Sequence, residues 1–225
     1  MKRTNTFEVR PRSESDRELL RRLLDASASL WNELTYERRQ RFFADENIWS
    51  VSDLCDRYKG VLGATTTQQV QRKNDAAWRS FFALLEDPNE DAHVPGYWGN
   101  ETDGRELRTY IRHDAYTLEW GDRSRLEITV GATLKQEYGL GRAERLRLEV
   151  AGQPKWEGDP CQLELYFDET TETFRAIQLV EVSEDQQDSQ AVRGGCLDPG
   201  SRGGSRQPMT QTTLRGVPDL PTYVT

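Results

Sequence analysis

Arg72, Lys73 and Arg79 are the residues of this sequence best spaced to meet an anionic ligand. Arg72 and Arg79 are two helical turns apart, so a helix there puts both guanidiniums on one side with Lys73 at the flank, where phosphates can be met. Arg38 and Arg39, with Arg41, form a second basic cluster, and Tyr97-Trp98 offers two adjacent rings on which bases can stack. Each group also has a plainer reading. The arginines serve equally as solvated surface, and aromatics beside Pro95 and Gly96 serve equally as loop anchors.

Signals for catalysis are absent at this level. His93 and His113 stand alone, without the His-x-x-His or Glu-x-x-His spacing that a metal site needs. Asp168 and Glu169 fall in a turn, and Glu184, Asp185 and Asp188 in a polar run, so solvated surface accounts for them. No glycine-rich phosphate cradle stands between a strand and a helix. Residue types and spacing therefore point to binding, with neither a cofactor nor a metal site.

The segment that must position the first cluster runs from Thr65 to Glu86. Val70, Ala77, Trp78, Phe81, Phe82, Leu84 and Leu85 lie on one arc at helical spacing, with Arg72, Asp75, Arg79 and Glu86 opposite. A threonine at Thr65, Thr66 or Thr67 caps its start, and Asp87-Pro88 stops it. Asn74 is the polar exception on the arc and needs a partner if covered. We expect Trp78, Phe81 and Leu85 to bury against the helix that carries Leu23, Leu24, Leu30 and Trp31.

That helix opens at Ser13-Glu14-Ser15-Asp16, and its apolar positions continue through Leu34 towards Phe42 and Phe43. Its length predicts a bend or break near Ser27–Ser29. A shorter helix from Trp49 to Tyr58 starts at Ser50 or Ser52, so residues 13–87 form an all-helical block. Thr6-Phe7-Glu8-Val9-Arg10 alternates as a strand before it. After a loop over 88–104, strands are expected at Leu107–Ile111, Thr117–Trp120, Arg125–Val130, Arg145–Val150, Gln162–Phe167 and Phe174–Val182. The first strand is then available to pair with these across the helical block. The expected architecture is α+β: a helical domain, 13–87, inserted into a small antiparallel β-barrel-like domain made of 4–12 and 105–183.

Residues 184–225 change character. Ala191–Thr225 holds six glycines and four prolines in 35 residues, with four arginines against two aspartates, in a chain of net charge −8. Such a composition predicts a polar linker and a disordered or frameshifted tail. The acid excess gives no bulk attraction for nucleic acid. With only five lysines among 30 basic residues, it suits a salt-rich cytoplasm, as well as an ordinary acidic protein. Cys55, Cys161 and Cys196 are odd in number, widely separated and lack a Cys-x-x-Cys pair, which argues against a disulfide framework and a complete zinc ribbon. Without a signal peptide or an apolar membrane span, the expected place is the cytoplasm.

Several of these segments resemble the insertion-sequence OrfB/TnpB proteins, in particular their halophilic archaeal members. The resemblance rests on the strand ending Arg10-Pro11, on Leu30-Trp31-Asn32-Glu33-Leu34, on the Gln68–Phe82 helix with its alanine and aromatic before paired phenylalanines, and on Val94-Pro95-Gly96-Tyr97-Trp98. It covers roughly residues 4–190. Tyr97, Trp98 and Gly99 stand where members tend to carry phenylalanine and lysine.

The resemblance implies an RNA-guided DNA endonuclease, akin to the single-protein type V CRISPR nucleases. Its helical recognition domain and β-rich wedge domain would hold guide-type RNA and transposon or target DNA. It also implies divalent metal in a RuvC-like domain with three acidic residues, and a four-cysteine zinc ribbon. Here Asp198, in Cys196-Leu197-Asp198-Pro199-Gly200, is the only candidate for the first carboxylate, and Pro199 removes a backbone donor from the strand that should present it. We therefore expect a nucleic-acid-binding remnant, truncated before the nuclease domain and unable to cleave DNA. Its expected contacts are Arg38, Arg39, Arg72, Lys73, Arg79, Tyr97 and Trp98. The alternative is a structural or protein-interaction domain with no nucleic-acid role.

Overall fold

The computed structural model of this chain describes residues 1–100, 102 and 104–183; the expected tail over 184–225, Asp198 included, lies outside the described residues. In chain order the elements are β1 (Lys2–Pro11), α1 (Glu14–Phe43), α2 (Ser52–Leu62), α3 (Ala64–Leu85), β2 (Gly99–Asn100), β3 (Gly104–Arg105) and β4 (Arg108–Arg112). A 3-10 turn (His113–Ala115) follows, then β5 (Tyr116–Glu119), β6 (Arg125–Ile128), α4 (Ala132–Glu137), β7 (Leu146–Ala151), β8 (Asp159–Asp168) and β9 (Thr173–Glu181).

Alternation in β1 buries Asn5, Phe7 and Val9 and leaves Thr4, Thr6 and Arg10 outside. The strand pairs with β9 along Lys2–Val9 and with β7 along Glu8–Pro11, so the N-terminal strand is the centre of the sheet. The order is β4-β8-β9-β1-β7-β6-β5, every neighbouring pair antiparallel.

The fold is α+β as expected, but the β-barrel-like closure is wrong: among the described residues this is an open seven-stranded sheet. Alternating direction across seven strands gives the edge strands β4 and β5 the same sense, so closure would require them to pair in parallel. A parallel pair needs a crossover of about a dozen residues or more. Only His113–Ala115 separate β4 from β5, and the two do not pair. Counting strands in sequence could not expose this parity constraint.

Ser13 starts α1 by accepting a hydrogen bond from the Asp16 amide at 3.0 Å. The helix runs on through Ser27–Ser29 to Phe43 without the expected break. Ser27 and Ala28 are fully buried, so these small residues mark close packing rather than a helix end. No threonine caps α3. Its N-cap is Gly63, at φ +80, which also ends α2, and the Thr67 hydroxyl donates to the Gly63 carbonyl at 2.8 Å. The end of α2 docks on the start of α4: the Gly131 amide donates to the Val61 carbonyl at 2.8 Å, and a Cβ on Gly131 would stand 2.0 Å from the Gly60 oxygen.

One core joins the sheet to α1, α2 and the start of α3, through residues such as Phe7, Leu20, Leu23, Trp31, Leu62, Val70, Leu126, Leu165 and Phe174. Trp78 and Phe81 are buried elsewhere, in a second cluster with Ile48, Phe42, Phe82 and Val94. Thr35 meets Asn74, and Phe42 meets Trp78 and Phe81, so α1 and α3 run in the same direction. The α3 aromatics therefore reach the end of α1, not Leu23–Trp31, and Leu85 is 52% exposed.

Truncating Phe81 to alanine should lower unfolding stability by about 3–5 kcal/mol, as for a filled aromatic core position. Leu85→Ala should change it by less than about 0.5 kcal/mol. Denaturant unfolding of both variants checks the assignment, and equal losses would mean that the exposed end of α3 is misplaced.

Candidate nucleic-acid interface

Arg38 sits on the buried stripe of α1, with Trp31, Leu34 and Thr35, and is 0% exposed. Its Nη1 donates to Asn74 Oδ1 at 2.6 Å and its Nη2 pairs with Asp75. Asn74 Nδ2 in turn donates to Thr35 Oγ1 at 2.9 Å. The polar exception on α3 thus finds its partners on α1. A buried guanidinium requires such partners, because an unpaired charge cannot leave water cheaply. Arg38 as placed cannot reach a phosphate from this position.

Arg72 and Arg79 are exposed on the outer face of α3, and neither has a carboxylate partner among the described residues. The Arg79 guanidinium lies 5.4 Å from the centroid of Trp49, a ring that is 42% exposed and also 5.4 Å from Arg38. Lys73 is half-buried, with Nζ 5.0 Å over Tyr110 on β4, and Gln69 donates to Gln162 on β8 at 3.0 Å. These two contacts dock the start of α3 on the sheet. Burial pushes the Glu164 carboxyl above its ordinary range there, while Arg108 and Lys73 pull it back.

Tyr97 and Trp98 point to different uses. Trp98 is buried, its ring stacked on Trp31 at 4.3 Å and 5°. The Trp31 indole donates to the Gly96 carbonyl at 3.0 Å. Asn32 accepts from the Trp98 amide at 2.7 Å and donates to the Gly99 carbonyl at 2.9 Å. Trp98 therefore pins the segment to α1, with one ring face covered. Tyr97 is 43% exposed, and Arg39 lies across its ring at 5.2 Å. The structure thus brings Arg39 to Tyr97 and Arg38 to Arg79 through Trp49, but it does not gather all seven candidates on one surface.

The sequence reading missed Trp49, Tyr36, Tyr58 and Glu33. A groove of about 1210 Å³ runs between α1, the end of α2 and residues 96–100, lined by Asn32, Glu33, Tyr58, Tyr97 and Arg105 among others. An adjoining recess of 410 Å³ adds Tyr36, Glu37 and Arg57. Glu33 holds both Tyr58, by a 2.7 Å hydrogen bond, and Arg57 at 2.6 Å. Burial, helped by that bond to Glu33, raises the Tyr58 phenol far above its ordinary value and keeps it a donor. The available signal was the α1 spacing, which puts Asn32, Glu33 and Tyr36 on neighbouring turns of one face.

Among the described residues no group of three or more His, Cys, Asp or Glu could hold a metal ion. His93 pairs only with exposed Asp91, at 3.4 Å, and Cys55 and Cys161 are free. These residues do not fit the divalent ions or the zinc ribbon that the resemblance implies. No helix among them is long and apolar enough to cross a membrane.

No protein-family model matches the chain. It is 33% identical over 193 residues to the TnpB-like protein ORF457 of Acidianus two-tailed virus, covering 80% of this chain and 39% of that protein. The similarity supports an assignment at family level, to TnpB-like proteins. The chain spans about two-fifths (39%) of the length of the curated relative it matches.

Removing the partner of Arg38 should be costly. Asp75→Ala is expected to lose about 3–5 kcal/mol, the usual consequence of leaving a buried charge unpaired. Asp75→Asn, which keeps an acceptor oxygen, should lose less. Chemical denaturation reads both, and a loss below about 1 kcal/mol for Asp75→Ala would show that the pair does not hold α1 to α3.

Proposed function

We propose that the described residues are the nucleic-acid-binding part of a TnpB-like protein, meeting guide-type RNA and transposon or target DNA along the outer face of α3. The observation that carries this reading is where the described residues leave cations without a carboxylate partner. In a chain of net charge −8, many arginines are taken by carboxylates: Arg41 by Glu37, Arg57 by Glu33, Arg108 by Glu164, Arg125 by Glu119, Arg147 by Glu127. Arg72 and Arg79 escape that pairing on one helix face, and the similarity to a TnpB-like protein spans this region.

In this proposal the helical part, 13–87, is inserted into a β part of 4–12 and 105–183, with 88–104 as the connection. Its task is binding, and cleavage is not assigned to the described residues. The halophilic character belongs to the proposal as well, supported by excess acid and the preference for arginine over lysine. A protein-interaction role is the second reading. It is favoured by Phe43 at 71%, Leu84 at 39% and Leu85 at 52% exposure, where α1 and α3 end.

Equilibrium binding to a structured RNA and to duplex DNA, measured over a salt series, separates the two readings. The Arg72→Ala, Arg79→Ala double variant should bind both more weakly, with the slope of log K against log salt smaller by about two, near one per lost phosphate contact. Unchanged affinity and slope would return these residues to plain surface. Uniformly negligible binding by the parent chain would favour the protein-interaction reading.

A further inference from the structure

We propose that the groove along α1 seats one unpaired nucleobase of a bound single strand, stacked on Tyr97. The inference rests on the nucleic-acid-binding reading and adds the form of strand and the place. It stands on three features of the groove. First, Tyr97 presents an exposed ring at the junction of the 1210 Å³ groove and the 410 Å³ recess, and Arg39 already lies across that ring at 5.2 Å. Such a pairing leaves the aromatic ring oriented and places a cation beside any strand that reaches it.

Second, the walls are polar but close to neutral. Glu33 is matched by Arg57 at 2.6 Å, Glu37 by Arg41 at 2.8 Å, and Arg105 by Asp25. A chain of phosphates finds no row of unpaired cations there, whereas a flat, neutral, hydrogen-bonding base is compatible with paired charges and tyrosines. Third, the segment that carries Tyr97 is rigidly held. Trp31 stacks on Trp98 at 4.3 Å, and Asn32 bonds the backbone on both sides of it, at 2.7 and 2.9 Å. The ring is thus presented by a fixed backbone, which limits the ordering cost of binding.

A duplex cannot supply this occupant, because its base faces are stacked inside it. Tyr36, 56% exposed in the same recess, offers a second ring to the base or its sugar. The shared chemistry is the unpaired base, and ribose and deoxyribose strands are separate arms of the test.

The test uses the full chain, with a short single strand of RNA or of DNA carrying one 2-aminopurine, and a duplex of the same length. Binding of either single strand should change the 2-aminopurine emission, and binding of the duplex should not. Tyr97→Leu should remove that change and weaken single-strand binding by roughly 5- to 150-fold, the worth of one stacked base. Tyr97→Phe should restore both. Tyr36→Leu, at a more exposed position, should weaken single-strand binding in the same direction. Because both rings are exposed, none of these variants should move the unfolding midpoint. Wild-type affinity and emission in Tyr97→Leu would overturn the inference while duplex and single-strand binding through Arg72 and Arg79 persisted. Loss of all binding by the parent chain would instead remove the reading on which the inference rests.

Discussion

The buried Arg38 guanidinium sets the geometry of the helices. It lies fully inside, between α1 and α3, and its charge is answered by Asn74 and Asp75 on α3. Taking a guanidinium out of water costs several kcal/mol after relaxation, and only well-placed partners offset that. A slip of α3 by one residue along α1 would leave the charge unmatched, so the pair ties the two helices in one register. Once Thr35 faces Asn74 and Arg38 faces Asp75, the remaining contacts follow from helical spacing. Trp78 and Phe81 arrive at Phe42, Gln69 and Lys73 arrive at the sheet, and Arg72 and Arg79 turn outwards.

This arrangement gives an acidic chain a local cationic face. Phosphate binding falls steeply with salt in proportion to the number of neutralised phosphates, so an interface with few free cations has a shallow salt dependence. In the proposed reading, affinity comes from contacts that salt does not screen, chiefly stacking and shape. Rings already paired with cations, Trp49 with Arg79 and Tyr97 with Arg39, are suited to that task. The exposed apolar ends of α1 and α3 adjoin this face, since Phe82 meets Trp49 at 6.4 Å and Phe42 meets both Phe82 and Phe43.

Much of the fold was legible because it follows from periodicity. The expected helix over 65–86 appears as Ala64–Leu85, and the alternating segments appear as strands within a few residues. What periodicity cannot say is which neighbour a face meets. It marks an apolar arc on α3 but not that the helix runs parallel to α1, so the arc predicts Leu85 inside, and Leu85 lies outside. Adjacency groups Arg38 with Arg39, although 100° of helical rotation puts one in the core and the other beside Tyr97. The unmatched polarity of Asn74 was the useful clue, since a buried amide demands a partner on the facing helix. The six-residue α4 was too short to show a period, and the closed barrel failed on strand parity, which only the pairing order reveals. The α1 groove was hidden because its residues come from α1, α2 and the 96–100 segment, far apart in sequence.

The most direct measurement is the position of bound nucleic acid on the chain. A photo-reactive RNA, bound at low salt and cross-linked, is followed by peptide mapping of the attached residues. The account predicts attachment within α3 around Arg72–Arg79 and within residues 96–100 beside Tyr97. Attachment confined to the far strands β5, β6 and β7, where arginines such as Arg125 and Arg147 are already paired with carboxylates, would contradict it.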